Sequence, residues 1–220
     1  GRGRLGRRWG SPPGGIWASL VLRPDIPASY APRITQTAAV GVAKTLWGLG
    51  IKAHIKWPND LLIKGRKKIC GIIAEADAGG TPVLSKRPSP DTGGYPISSV
   101  ILGIGLNANF DPTDLSIPDR EVATISSELG HDVELPKLLG ALLENLDAEL
   151  SRIRNFTAVL DDWRALNCTL GRLVRAERFG KALEGRAVDV TPEGALLLET
   201  PEGVVELFEG EIEHLRQGEM

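Results

Sequence analysis

The sequence predicts an α+β fold: a sheet with flanking helices, followed by a small β-barrel. Three observations lead there. Up to about residue 167, short apolar runs bounded by Gly and Pro alternate with segments whose apolar residues recur at helical spacing. From Leu170 the helical period disappears, and short strands punctuated by Gly take over. With 220 residues, 42% of them hydrophobic, the chain has enough material for one substantial core and a small appended unit. The expected domains are therefore 1–167 and 168–220.

Each element has a local reason. Ile16 to Leu22 is an apolar run opened by Gly14-Gly15 and closed by Arg23-Pro24-Asp25, which reads as a buried strand. Ile34, Ala38, Val42, Leu46 and Leu49 fall on one helical face, and Gly50 stands where a C-terminal cap is expected. Ala53 to Ile55 is a strand that ends in Lys56-Trp57-Pro58-Asn59-Asp60. Proline cannot continue a central strand and Asn-Asp suits a turn, so this is a corner projecting Lys56, Asn59 and Asp60. Leu61 to Ile63, the basic turn Lys64 to Lys67, and Lys68 to Glu75 form a hairpin whose second strand is nearly all apolar. Residues 77–97, dense in Gly, Pro and Ser, read as a flexible insertion. Val100 to Gly105 resumes the sheet and runs into Gly103-Ile104-Gly105-Leu106-Asn107. Helices follow at about Glu121–Leu129, Pro136–Ile153 and Phe156–Leu166; the leucine face of the second lacks sustained heptads and reads as core. Arg172–Arg175, Lys181–Val190, Ala195–Glu199, Val204–Phe208 and Ile212–Leu215 are five strands, with hairpin turns at Pro192-Glu193-Gly194 and Pro201-Glu202-Gly203.

The chemistry-bearing stretch is the first one. Gly1 to Trp9 holds four arginines and three glycines: a backbone free to pass close to a ligand, with planar cations suited to carboxylate or phosphate. A loop closing on an anion competes here with a solvated terminus and with a Gly/Arg segment that binds nucleic acid nonspecifically. The net charge of −2 and pI near 6.0 leave no chain-wide basic field, so nucleic acid is not indicated. Cys70 and Cys168 are far apart, and His54, His131 and His214 are scattered, so no Cys/His metal site is written. No signal peptide or spanning apolar run is present, and a reducing cytoplasmic compartment is expected, with no membrane partner. A loop of this kind at position 1, with no initiating Met, leads to the expectation that sequence precedes Gly1. Lys68, at the mouth of a buried strand, is either a desolvated anion partner or a solvated hairpin lysine like Lys64 and Lys67.

GRGRLGRRW with SPPGG, then KWPND, KKICGII, GIGLN and a terminal barrel containing GEIEHLR, in this order, resemble the biotin protein ligases across essentially the whole chain. The lipoate ligases are a more distant likeness. The resemblance implies a mixed central sheet with flanking helices, of the class II synthetase-like kind, and an SH3-like C-terminal barrel. It implies activation of biotin with ATP and Mg²⁺ to biotinyl-5′-AMP, then transfer to a lysine of a biotin carboxyl carrier protein. Lipoate or octanoate transfer is the enzyme alternative. A repressor role would need a DNA-binding segment upstream of Gly1, where the family's Ser/Thr-Thr-Asn strand and a Gln also belong; a homodimer is a further expectation.

Position by position, Arg2, Gly3 and Arg4 match the biotin-binding loop, and Arg7 and Trp9 its continuation over the adenylate. Lys68 matches the lysine that contacts biotin and the reacting phosphate; Lys56, Asn59 and Asn107 are assigned to the nucleotide. Charge building on the α-phosphate would be stabilised by Arg4, Lys68 and Mg²⁺, a kind of contribution worth roughly 3 kcal/mol per well-placed donor. Asp60 is assigned to the acceptor lysine, with Mg²⁺ ligation and turn capping as its other readings. In the first of these roles, Asp60→Asn slows transfer and leaves adenylation nearly intact.

Overall fold

The computed structural model describes residues 1, 3, 9–24, 26–27, 30–77, 98–115, 121–178, 181–208, 210 and 212–215. Arg2, Arg4, Arg7 and residues 78–97 of the insertion expected at 77–97 lie outside the described residues, while Asp77 belongs to a strand.

Among the described residues, two five-stranded sheets and four α-helices share one contiguous hydrophobic core. The first sheet contains β1 (Ile16–Leu22), β2 (Ala53–Lys56), β3 (Asp60–Ile63), β4 (Lys67–Asp77) and β5 (Ser99–Leu106), in the order β1-β5-β4-β3-β2. Its ladders are all antiparallel. Among the described residues, the parallel component of the expected mixed sheet is two isolated bridges, Ile55 with Asn167 and Lys68 with Val122. β1 differs from its reading as a buried strand: among the described residues it pairs on one side only, and its Ser19 and Val21 face outward, Val21 being 59% exposed. The apolar run gave no sign of this, because Trp17 and Val21 lie on the outer face while Ile16, Ala18 and Leu20 face in.

Helix α1 (Ala31–Gly48) starts with Pro32 in its first turn and is capped at Leu49, followed by Gly50 at φ 81°. It is buried nearly all round, since it packs on the first sheet and also carries α3 (Leu135–Ser151) and α4 (Phe156–Leu166). At Gly41 the approach to α3 is so close that a Cβ would stand 3.2 Å from Asn145 O. α2 is shorter than its period suggested, Ile125–Leu129, because Thr124 caps it in a capping box with Ser127 and Gly130 closes it in the left-handed region. The residues before it are extended and clip onto β4: Lys68 N–H donates to Glu121 O (2.8 Å) and Ala123 N–H to Lys68 O (2.9 Å).

β6 (Leu173–Arg178), β7 (Lys181–Val190), β8 (Leu196–Thr200), β9 (Gly203–Leu207) and β10 (Ile212–His214) make the second sheet, in the order β10-β6-β7-β8-β9. Its turn at Pro192–Gly194 reaches back to the first part of the chain. Arg33, stacked on Tyr30 (3.4 Å to the ring centroid) and Phe156 (4.7 Å), donates to Pro192 O; Gln36 Nε2 and Trp57 Nε1 donate to Gly194 O. Between α1, α3 and α4, Lys44 and Arg152 each bond both Glu149 and Asp162. Among the described residues no helix is long and apolar enough to cross a membrane.

Candidate active site

The centre of the site is a charge pair buried in the β3–β4 ladder. Lys68 Nζ donates to Asp60 Oδ1 at 2.6 Å, and the two side chains are 9% and 10% exposed. The register explains the meeting: Lys68 stands opposite Leu62 and Asp60 opposite Gly71, with a bulge between Leu61 and Leu62. Asp60 therefore opens β3 and points at a lysine, whereas the corner itself, through a cis Trp57–Pro58 bond, is made by the residues before it. A buried ammonium and carboxylate need each other, since either alone would face the full cost of desolvation.

Above the pair lies Trp9. Its ring is 4.8 Å from Lys68 Nζ, within cation–π range, and it meets Trp17 edge-on at 6.5 Å, while Trp17 in turn meets Phe110 at 6.0 Å. The indole rests on Gly71 and Gly105, which are cross-strand partners. A Cβ on Gly71 would come within 3.1 Å of the indole, and one on Gly105 within 2.7 Å of Nε1. Two glycines thus make a flat floor on which a planar group lies against sheet backbone.

Asn107 is fully buried. Its Nδ2 donates to Lys68 O (3.2 Å) and Ala123 O (3.0 Å), and its backbone N–H donates to Ile69 O, so it ties β5 to the strand that carries the lysine. Its Oδ1 and the indole Nε1 of Trp9 are buried with no hydrogen-bond partner among the described residues. Asn59 hooks the corner to β4, donating Nδ2 to Ile72 O at 2.6 Å and accepting Ile72 N–H at its own carbonyl. Lys56 is directly cross-strand from Asp60, and its charge also acts on His214 and Cys168 near the second sheet. Gly3 is partly buried.

The structure thus brings together Lys68, Asp60, Trp9 and Asn107, with Asn59 bracing the corner. Sequence reasoning missed that Lys68 and Asp60 are partners, and it missed the Gly71–Gly105 floor. The hairpin register carried the first signal, since residues two apart on facing strands are diagonal neighbours on one face. Thiol chemistry is not on offer here: burial pushes the Cys70 thiol well up, and burial likewise pushes Cys168 up to about 11, so neither is a thiolate near neutrality. Among the described residues no cluster of three or more His, Cys, Asp or Glu could hold a metal. Asp60 Oδ1 is already taken by Lys68, so this carboxylate could share an ion only together with substrate phosphates.

Known proteins share this arrangement of sequence and fold. Residues 1–84 match the Biotin/lipoate A/B protein ligase family, and residues 169–215 match the Biotin protein ligase C terminal domain. The biotin acetyl-CoA-carboxylase ligase of Paracoccus denitrificans is 30% identical over 211 residues, covering 92% of this chain and 81% of that protein. The bifunctional ligase/repressor BirA of Bacillus subtilis is 34% identical over 218 residues, which is 97% of this chain; the chain spans 62% of the length of that relative. In fold, the chain is similar to the Aquifex aeolicus biotin protein ligase solved with biotin and ATP, at a TM-score of 0.76 and 24% identity over 98% of this chain and 84% of that one. Taken with the Arg/Gly segment, the KWPND corner and the lysine of KICGI, these matches place the chain in the biotin protein ligase family.

Proposed function

We propose that this chain activates biotin with ATP to biotinyl-5′-AMP and then transfers biotin to a lysine of a biotin carboxyl carrier protein. The observation that carries the reading is the buried Lys68–Asp60 pair set beside a glycine floor and an aromatic wall, next to a segment rich in Arg and Gly. Joining a carboxylate to an amine requires an activated acid. Attack of the biotin carboxylate on the α-phosphate breaks the bond to pyrophosphate and forms the mixed anhydride. Of the three N–H donors on Lys68 Nζ, one is given to Asp60, which leaves the others for an anion arriving beside Trp9. Arg2, Gly3 and Arg4 belong to the loop that closes on biotin, and Arg7 and Trp9 continue it over the adenylate, excluding water from the anhydride.

Asn107 Oδ1 is a buried acceptor with no donor among the described residues, and an exocyclic amine such as that of adenine would supply one. Lys56 and Asn59 remain assigned to the nucleotide side of the corner. Mg²⁺, entering with ATP, would neutralise phosphate charge, with Asp60 as the protein ligand nearest that role. In the second step the acceptor lysine must be neutral to attack the anhydride, and Asp60 orients it or takes its proton. Residues 1–167 and 168–220 are read as the catalytic and SH3-like domains, acting in a reducing cytoplasm.

An assay with ATP, a cognate carrier domain and labelled biotin, lipoate or octanoate decides among the acids. Biotin incorporation with pyrophosphate release is expected, and lipoate transfer without biotin transfer would overturn the reading. The match of residues 169–215 to the biotin-specific C-terminal domain is what favours biotin here.

A further inference from the structure

Both N–H groups of Trp57 are held by the C-terminal part of the chain. The backbone N–H, the first after β2, donates to Thr169 Oγ1 at 3.1 Å, and the indole Nε1–H donates to Gly194 O at 3.3 Å. Trp57 is 1% exposed and Thr169 fully buried, so neither bond is exchanged with water. The segment that carries Thr169 is itself fixed. Cys168 N–H donates to Ile55 O on β2, and Asn167 Oδ1 accepts from the N–H groups of Thr169 and Leu170. Behind the hydroxyl stands His214 of β10, its Nε2 3.1 Å from Thr169 Oγ1.

We infer that Thr169, oriented by His214, is a positioning residue: it fixes the Trp57–Asp60 corner and through it the carboxylate that aims Lys68. Burial, with the charges of Lys56 and Arg172 nearby, pushes His214 down to about 4, so the ring is neutral at physiological pH. With Nε2 bare, it accepts the Thr169 hydroxyl proton and leaves an oxygen lone pair for the Trp57 amide. Two residues separate Trp57 from Asp60: a proline with fixed φ, and Asn59, tied to β4 at both its side chain and its carbonyl. A shift of the Trp57 amide is therefore passed on to Asp60 rather than absorbed by the turn. The inference rests on the assignment of the Lys68–Asp60 pair to the reaction.

The test compares Thr169→Val, which keeps shape and removes the hydroxyl, with Thr169→Ser, which restores it. Biotin-dependent pyrophosphate release is measured well below the melting temperature of each protein, beside hydrogen exchange of the amides of Trp57, Asn59 and Asp60, the N–H groups within 57–60. Thr169→Val is expected to lower kcat about 10-fold, as small misplacements of reacting groups do, with KM for biotin changed less than about 2-fold. Exchange at 57–60 rises about 10-fold while β5 is unchanged, and Thr169→Ser recovers both. A Thr169→Val protein with wild-type kcat overturns the inference, as does one whose exchange rises uniformly along the chain. Should Thr169→Val fail to fold, His214→Gln provides the same two readouts. If the wild-type chain releases no pyrophosphate with biotin, the proposed function fails, and the exchange pattern at 57–60 still decides whether Thr169 positions the corner.

Discussion

Asp60→Asn tests the buried pair most directly. The substitution keeps the shape of the side chain and removes its charge, leaving the Lys68 ammonium, 9% exposed, without the carboxylate that stands 2.6 Å away. Removing one member of such a pair costs about 3–5 kcal/mol, a large share of the roughly 5–15 kcal/mol that holds a domain together. The amide oxygen still accepts a hydrogen bond, so the lower end, about 3 kcal/mol, is expected. Lys68→Met in the same background takes away the stranded charge, and the two changes together should cost less than their sum by about 2 kcal/mol or more. Urea denaturation of the four proteins at pH 7 gives this coupling, provided the slope with denaturant is constant. Because Asp60 holds Lys68, on the proposed function Asp60→Asn should slow adenylation along with transfer, where the sequence alone led to a transfer-only defect. Single-turnover measurement of each half-reaction checks that. An Asp60→Asn protein with wild-type urea midpoint and wild-type adenylation would refute the reasoning, since Lys68 would then hold its place without the carboxylate.

Further outcomes follow from other contacts. Gly105→Ala drives a Cβ to within 2.7 Å of the Trp9 indole; stability should fall by about 1–3 kcal/mol, and the change in tryptophan fluorescence on adding biotin and ATP should be lost. His214 has its folded pKa near 4, below the ordinary 6.5, so the unfolded chain binds the extra proton between these values. Stability should fall as pH drops from about 6.5 to 4, by at most about 3 kcal/mol, and His214→Gln should flatten that part of a pH series of thermal melts. At Asp162, desolvation pushes the carboxyl up, but hydrogen bonds from Arg152 and Lys44 outweigh it and hold the group below its usual range. Its stabilisation is present above the unfolded value near 3.9 and is lost as pH falls through the lower folded value, so acid unfolding should be shallower in Asp162→Asn.

Most of the fold was legible because its signals are local. The period of Ile34 to Leu46, the Gly caps and the Pro-Glu-Gly turns each act within a few residues, and the elements they predict appear within a few residues of where they were expected. The failures are tertiary. Nothing inside Ile16–Leu22 says that it lies at a sheet edge, since that depends on which strand fails to pair with it. The helical period before Ile125 was overridden because Glu121 and Ala123 found β-type partners on Lys68, and a capping box at Thr124 then set the start.

The site divides along the same line. Lys68, Asp60, Trp9 and Asn107 could be named from the motifs they sit in, but what each does to the others required the register. Asp60 read as the end of a turn is a solvated carboxylate with three uses open to it; placed diagonally across a ladder from Lys68, it holds that lysine whatever else it does. Trp9 read as part of a Gly/Arg segment is one more flexible residue; laid on Gly71 and Gly105, it shows why those positions have no side chain. Asn107 read as the end of a GxGxN stretch is a candidate ligand group; with both amide protons given to carbonyls, it retains a single buried acceptor, so any group it recognises must be a donor. In each case the residue type limited the chemistry to a short menu, and the neighbour brought in by the fold chose from it. A substitution that keeps the type but breaks the neighbour relation, Thr169→Val more than any change at Lys68 itself, therefore separates a site that is assembled from one that is merely spelled.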